Sequence, residues 1–284
     1  NNNMHTIYSQ NWKDYELIDA GNGKKLERWG TIHTIRPDRN AYFPAVLTEK
    51  EWMEKVDFEF IENTSTSGEW IQRTKGIKPE WQIKYGKAVF NIKLTRFKHV
   101  GLFPEQQTNW DFLQNKIQKD QKLLNLFGYT GAASVIAKLN HAEVYHCDSV
   151  KNVINWGKEN MELSGVEGIK WVLEDALKFA QREVKRGNKY KGIIMDPPAF
   201  GIGVKKERWK LEDKFTDLLK ASRELIEDKG FIIINTYSPK LTPKEIKGIT
   251  SSIFSNQKVE VSRLSMKTTT GKRLDFGELT RIQF

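Results

Sequence analysis

The chain has 284 residues, 38% hydrophobic and 29% charged, long enough for one large domain or two modest ones and apolar enough for a true core. Nine Trp, fifteen Phe and eight Tyr exclude a disordered chain, which lacks the apolar surface to offset its conformational entropy. Lys and Arg number 46 against 36 Asp and Glu, a net charge of +10; such a surface attracts polyanions, nucleic acid among them, although many soluble proteins are basic without binding any.

No apolar run approaches the roughly 20 residues that span a bilayer; the longest, such as Phe231–Ile234, suit one buried strand. The N-terminus lacks the basic-then-apolar pattern of a signal peptide, and the expected compartment is the reducing cytoplasm. Cys147, the one cysteine, leaves no internal disulfide and no thiolate metal cluster, so no metal is expected. Residues 1–98 carry 16 basic and 13 acidic side chains, which leaves 30 and 23 for residues 99–284. Two basic clusters stand out: Arg182, Lys185, Arg186, Lys189 and Lys191, then Lys205, Lys206, Arg208 and Lys210.

Residues 15–98 read as short strands broken by turns. Ala88–Leu94 alternates apolar and polar, as a half-buried strand does, and Gly21-Asn-Gly23 and Ser65-Thr-Ser-Gly68 are turn chemistry. Trp12, Trp29, Trp52, Trp70 and Trp81 all fall here, as the aromatic core of a small β-rich domain or as a platform for bases. After residue 120 apolar runs alternate with helical stretches: Lys122–Phe127, Glu143–Asp148, Ile169–Leu173, Tyr190–Met195 and Gly230–Asn235, with helices predicted at 152–163 and 177–185. That alternation predicts a parallel sheet covered on both faces, with ligands at the carboxyl ends of its strands. The expected architecture is α/β, a β-rich domain over 1–98 and a sheet domain over 99–284.

The residues with chemistry sit at those strand ends. Phe127-Gly128-Tyr129-Thr130-Gly131 follows the first run and opens a helix, so its backbone can approach a ligand. Asp148, followed by Ser149, ends the second run; it can accept both hydroxyls of a ribose or cap the next helix. Asp175, with Ala176, ends the third and can accept from an adenine amine or, again, cap a helix. Together the three describe an adenosine site. Gly128-Tyr-Thr-Gly131 lacks the G-x-G-x-x-G of nicotinamide enzymes, and no Walker lysine motif is present. S-adenosylmethionine, an adenosine ligand without phosphate, fits better. Asp196-Pro-Pro-Ala-Phe200 ends the fourth run. Its prolines fix the backbone and withhold two N–H donors, so the Asp196 carboxylate and the Pro197 carbonyl can both accept from one planar amine while an aromatic ring stacks on its base; the alternative is a rigid strand-to-loop turn.

From about Phe103 onward these motifs resemble class I S-adenosylmethionine-dependent methyltransferases, whose sheet is Rossmann-like, and within them the large-subunit ribosomal RNA group that modifies cytosine C5 or guanine N7. Asn125–Gly131 resembles that group's cofactor loop, Asp148 its ribose acid, Glu174-Asp-Ala176 its adenine-side acid and Asp196–Phe200 its catalytic motif. Gly101–Gln106 is similar to the segment that crosses the cofactor, which implies cofactor roles for Phe103 and Gln106; Gln107 stands where many relatives carry arginine. The resemblance implies RNA, ribosomal in kind, as partner. The cytosine-C5 members attack their base with a cysteine after the fifth strand, whereas here that strand ends Asn235-Thr-Tyr-Ser-Pro239. Direct transfer to a base nitrogen is therefore expected, with Asp196, Pro197 and Phe200 facing the base. The alternatives are a methyltransferase for a small molecule or protein and a non-catalytic cofactor-binding module.

Overall fold

The computed structural model describes residues 4–10, 12–202 and 208–284. In chain order the strand-rich part runs β1 (Thr6–Tyr8), β2 (Tyr15–Gly21), β3 (Lys24–Trp29), β4 (Ile32–Pro37), α1 (Glu49–Lys55), β5 (Phe58–Thr64), β6 (Ser67–Gln72), β7 (Glu80–Tyr85) and β8 (Ala88–Lys93). A 3-10 turn at Pro104–Gln106 leads into α2 (Gln107–Lys116). There follow β9 (Lys122–Leu126), α3 (Ala132–Leu139), β10 (Glu143–Asp148), α4 (Lys151–Leu163), β11 (Lys170–Leu173), α5 (Ala176–Arg186), β12 (Tyr190–Met195), β13 (Phe200–Ile202) and β14 (Arg208–Lys210). The chain ends with α6 (Leu211–Leu225), β15 (Ile226–Thr236), α7 (Pro243–Ile253), β16 (Lys258–Lys267) and β17 (Arg273–Gln283).

The main sheet has the order β1-β16-β17-β15-β12-β9-β10-β11. Strands β9 to β12 and β15 run parallel, and β17 lies antiparallel to β15. Parallel strands covered on both faces require unbroken apolar runs, and Phe231–Ile234 of β15 is buried throughout. Each such side chain contributes about 1.5–3 kcal/mol of apolar burial. From β9 the chain steps outward through β10 and β11, then returns to place β12 on the other side of β9. The order reverses there, and the carboxyl ends of β9 and β12 flank the crevice that such a reversal opens. Among the described residues no helix is long and apolar enough to cross a membrane.

The chain divides into two units, Tyr8–Thr108 with Ser265–Phe276 and Asn1–Ile7 with Asn109–Leu264 and Gly277–Phe284. The boundary expected at 98/99 therefore moves to 108/109, and the tip of the β16–β17 hairpin joins the strand-rich unit. Hydrogen bonds explain both shifts. The Thr108 N–H donates to Ser9 Oγ at 3.2 Å and the Gln10 N–H to Gln107 Oε1 at 2.7 Å. At the hairpin tip, Thr269 N–H donates to the Leu17 carbonyl at 2.9 Å and the Thr270 hydroxyl to Asp19 at 2.6 Å.

Within the strand-rich unit, β2 to β6 form one sheet and β7–β8 a second ladder. Trp29 and Trp52 are buried, and the Trp29 ring lies edge-on to Tyr15 at 4.7 Å. Glu27 is buried at the centre of this unit. Arg36 donates to it twice, at 2.6 and 2.7 Å, and the Tyr15 hydroxyl donates at 2.6 Å. Burial works against the Glu27 charge, but Arg36 and Lys25 outweigh it and hold the carboxyl below its usual range.

Candidate active site

The β9–α3 turn has an unusual backbone. Phe127 (φ 57°) and Tyr129 (φ 55°) both occupy the left-handed region, and so does Gly131 (φ 82°), the N-cap of α3. Two non-glycine residues in that region within three positions is costly, and such strain persists only where neighbours enforce it. Here the enforcement is visible on both sides of Tyr129. Its N–H donates to Asp148 Oδ2 at 2.9 Å, and its carbonyl meets His146 Nε2 at 3.2 Å. A carbonyl only accepts, so Nε2 carries the proton. Nδ1 then accepts from the Ser134 hydroxyl at 2.8 Å, and Ser134 in turn accepts from Asn125 Nδ2 at 2.9 Å. Asn160 Nδ2 holds the next carbonyl, that of Thr130, at 3.0 Å. Burial depresses His146 to about 3, so the imidazole is neutral and the chain runs in one direction from Asn125 to Tyr129.

Gly128 sits on that imidazole. A Cβ placed there would lie 2.3 Å from the His146 ring, so only glycine lets the loop settle onto β10. The loop is legible in the sequence, whereas His146, Ser134 and Asn160, which hold its backbone, are not. The available signal was a histidine inside an otherwise apolar strand run.

Asp148 ends β10 half-buried, with Oδ1 accepting from the Val150 N–H at 2.9 Å. Burial raises its carboxyl from the usual value, against backbone donors that pull it down. Ser149 beside it is exposed. A carboxylate offers about four acceptor positions, which leaves room for a diol. Asp175 is the N-cap of α5, accepting from the Lys178 N–H at 2.9 Å, and Ala176 opens the helix. The loop, Asp148 and Asp175 leave the adjacent strands β9, β10 and β11 in turn. This donor set, an acceptor carboxylate and a glycine-tight loop with no phosphate-binding lysine motif, fits an adenosine ligand without phosphates.

Asp196 leaves β12, whose Met195 pairs with Leu126 of β9. The Asp-Pro-Pro turn and the Phe127 loop therefore emerge side by side at the switch point. Trp209, which sequence reasoning had passed over between Arg208 and Lys210, fastens them. Its ring packs on Phe127 at 5.5 Å and its indole N–H donates to the Pro198 carbonyl at 2.8 Å. Leu211 N–H donates to the Ala199 carbonyl at 3.1 Å. Pro197 is buried, whereas Phe200 is 57% exposed. Phe103 and Gln106 fall in the strand-rich unit, where Gln106 is buried and Phe103 packs on His99 at 5.5 Å.

Cys147 is buried within β10, and burial followed by the nearby acids pushes its thiol up to about 12. It is a core residue, as expected from its place in the run. The first basic cluster is largely occupied. Arg182 binds Glu174, Arg186 lies 3.3 Å from Glu183, and Lys191 donates to the Lys229 carbonyl at 2.8 Å. Lys205 and Lys206 lie outside the described residues.

The sequence profile of the S-adenosylmethionine-dependent methyltransferase family matches residues 58–260. The chain belongs to that family. A crystal structure of the SAM-dependent methyltransferase from Agrobacterium tumefaciens is 32% identical to this methyltransferase, with a TM-score of 0.92 over 98% of this chain and 93% of that one. The ribosomal RNA large subunit methyltransferase K/L of Shewanella frigidimarina is 32% identical over 161 residues, 55% of this chain and 22% of its own length. Its counterpart in Pseudoalteromonas atlantica is 30% identical over 151 residues, 52% of this chain and 21% of its own. The methyltransferase thus spans about a fifth of the length of these two curated relatives. The family is defined by methyl transfer that depends on S-adenosylmethionine.

Proposed function

We propose that this methyltransferase acts in the cytoplasm on RNA, with large-subunit ribosomal RNA as substrate and a base nitrogen as acceptor. One observation carries the reading: the Asp196-Pro-Pro198 turn leaves β12 beside the Phe127 loop, with Trp209 clamping the two. When bound, S-adenosylmethionine supplies a methyl carbon activated by its sulfonium. The backbone of Phe127–Gly131 would cradle it, Asp148 and Ser149 would take its ribose hydroxyls, and Asp175 and Ala176 would border its adenine. Asp196 and the Pro197 carbonyl would accept from the target base, and the exposed Phe200 would stack on it.

A ring or exocyclic nitrogen attacks through its own lone pair, so the residues need only align the base and stabilise developing charge. A carbon acceptor needs a thiolate instead. The one cysteine is buried in β10 with its thiol pushed up to about 12, which argues against that route. The RNA assignment is supported by the names of the curated relatives and by the +10 charge. Arg208 and Lys210, next to the clamp, are suited to phosphate contacts, which position without reading sequence.

The test is transfer of labelled methyl to total RNA from a strain lacking the enzyme, followed by nucleoside mass spectrometry. A nitrogen-methylated nucleoside in ribosomal RNA is expected; label in 5-methylcytosine, or in no RNA, would overturn the proposal. Asp196→Ala is expected to lower turnover about a thousandfold while leaving S-adenosylhomocysteine affinity within twofold by calorimetry, a loss on the scale of removing a group that acts on the transition state.

A further inference from the structure

The strand-rich unit carries a cavity of its own, of about 230 Å³, that none of the chemistry above uses. Phe60 and Phe97 wall it, Glu62, Lys98 and His99 line it, and the Thr64–Ser67 turn closes one end. A neighbouring groove of about 340 Å³ runs past Trp70 and Arg96. Between them the Trp70 indole N–H donates to the Phe97 carbonyl at 3.1 Å, and Trp70 meets Phe60 edge-on at 5.3 Å. The Arg96 guanidinium lies 5.1 Å over the Phe97 ring. Phe97 itself is 46% exposed, a large apolar ring that the fold leaves in water although it is held by its neighbours.

We propose that this cavity is a docking site for one unstacked base of single-stranded RNA, with Phe97 as the stacking face, Arg96 and Lys98 as phosphate contacts and Glu62 as acceptor for a base amine. The inference rests on the RNA reading given above and specifies where, away from the strand ends, the substrate is gripped. Size favours it: the cavity is smaller than the roughly 300–1,000 Å³ that drug-sized ligands occupy. Chemistry favours it as well. Single-strand binders combine aromatic faces with cations along the backbone, and each stacked base is a sequence-tolerant anchor. A carboxylate on the wall discriminates, because it accepts from an exocyclic amine. Burial, then Arg36, Lys98 and Lys25, depress His99 to about 4, so the imidazole stays neutral within a positive local potential that a phosphate would relieve.

Fluorescence anisotropy of the full chain with a labelled twelve-nucleotide single-stranded RNA tests the site. Phe97→Ala is expected to weaken binding about tenfold, Phe97→Tyr to keep it within twofold, and S-adenosylhomocysteine affinity to stay unchanged in both. Lys98→Gln with Arg96→Gln is expected to flatten the salt dependence. Because Phe97 is exposed, an unaltered melting curve will separate loss of contact from loss of fold. If the unaltered chain binds the RNA and Phe97→Ala binds it within twofold as well, the groove is overturned and the RNA reading stands. If the unaltered chain binds no RNA, both fall.

Discussion

The two units bury polar groups in opposite ways. The α/β unit places a neutral chain, Asn125 to Ser134 to His146, under its β9–α3 turn. The strand-rich unit buries a full ion pair, Glu27 with Arg36, and braces it with Tyr15 and the face of Trp29 5.2 Å away. A neutral chain holds the strained backbone of the β9–α3 turn in place without adding a net charge beneath it. The ion pair lies in the core of the strand-rich unit, and its directional bonds tie β3 to β4.

Three perturbations sharpen that contrast. The largest effect is expected from Arg36→Met, which strands the Glu27 carboxylate in the core. Breaking a buried pair on one side costs about 3–5 kcal/mol, to be read from denaturant unfolding of the full chain. Replacing Glu27 with Gln in the same chain should recover much of the loss, and a single variant as stable as the parent would show that the pair is not holding the sheet.

The second concerns acid. His146 falls from an ordinary value of 6.5 to about 3 when folded. A lowered base leaves the unfolded chain holding more protons below pH 6.5, so this stability is present above that pH and lost on acidification. By pH 5 the loss is about 2 kcal/mol at 1.36 kcal/mol per unit. Melting curves between pH 7 and 5 should show it, and His146→Gln should remove the His146 share of that slope. His99, depressed to about 4 in the other unit, adds a slope of the same sign that His146→Gln leaves behind. Glu105 acts oppositely: burial raises it to about 7, so its contribution is full below pH 4.5 and fades as pH rises through 7.

The smallest effect belongs to the clamp. Trp209→Phe keeps the ring against Phe127 but removes the bond to the Pro198 carbonyl, worth about 1 kcal/mol. Methyl transfer should fall about fivefold with S-adenosylhomocysteine affinity unchanged. Full retained turnover would relegate Trp209 to packing.

Much of the sheet could be read from residues alone. Glu143–Asp148 and Tyr190–Met195 coincide with β10 and β12, because strands buried on both faces are dominated by apolar residues and each here is followed or closed by an acid. Asp148 and Asp196 were visible for the same reason. The support beneath the loop was not. Asn125, Ser134 and His146 come from β9, α3 and β10 and meet only through the parallel register, in which Asn125 pairs with His146. Trp209 was hidden by its basic neighbours. The domain boundary misled because no shift in composition marks residue 108, and because the hairpin tip that completes the first unit lies some 160 residues further on.

That returning hairpin has a consequence for biosynthesis. Ser265–Phe276 supplies part of the strand-rich unit, so the segment Tyr8–Thr108 leaves the ribosome with the Leu17 and Ile18 carbonyls of β2 uncovered and cannot close until residues 265–276 have been made. Truncation just short of residue 265 would therefore injure the strand-rich unit as well as the sheet in which the cut falls.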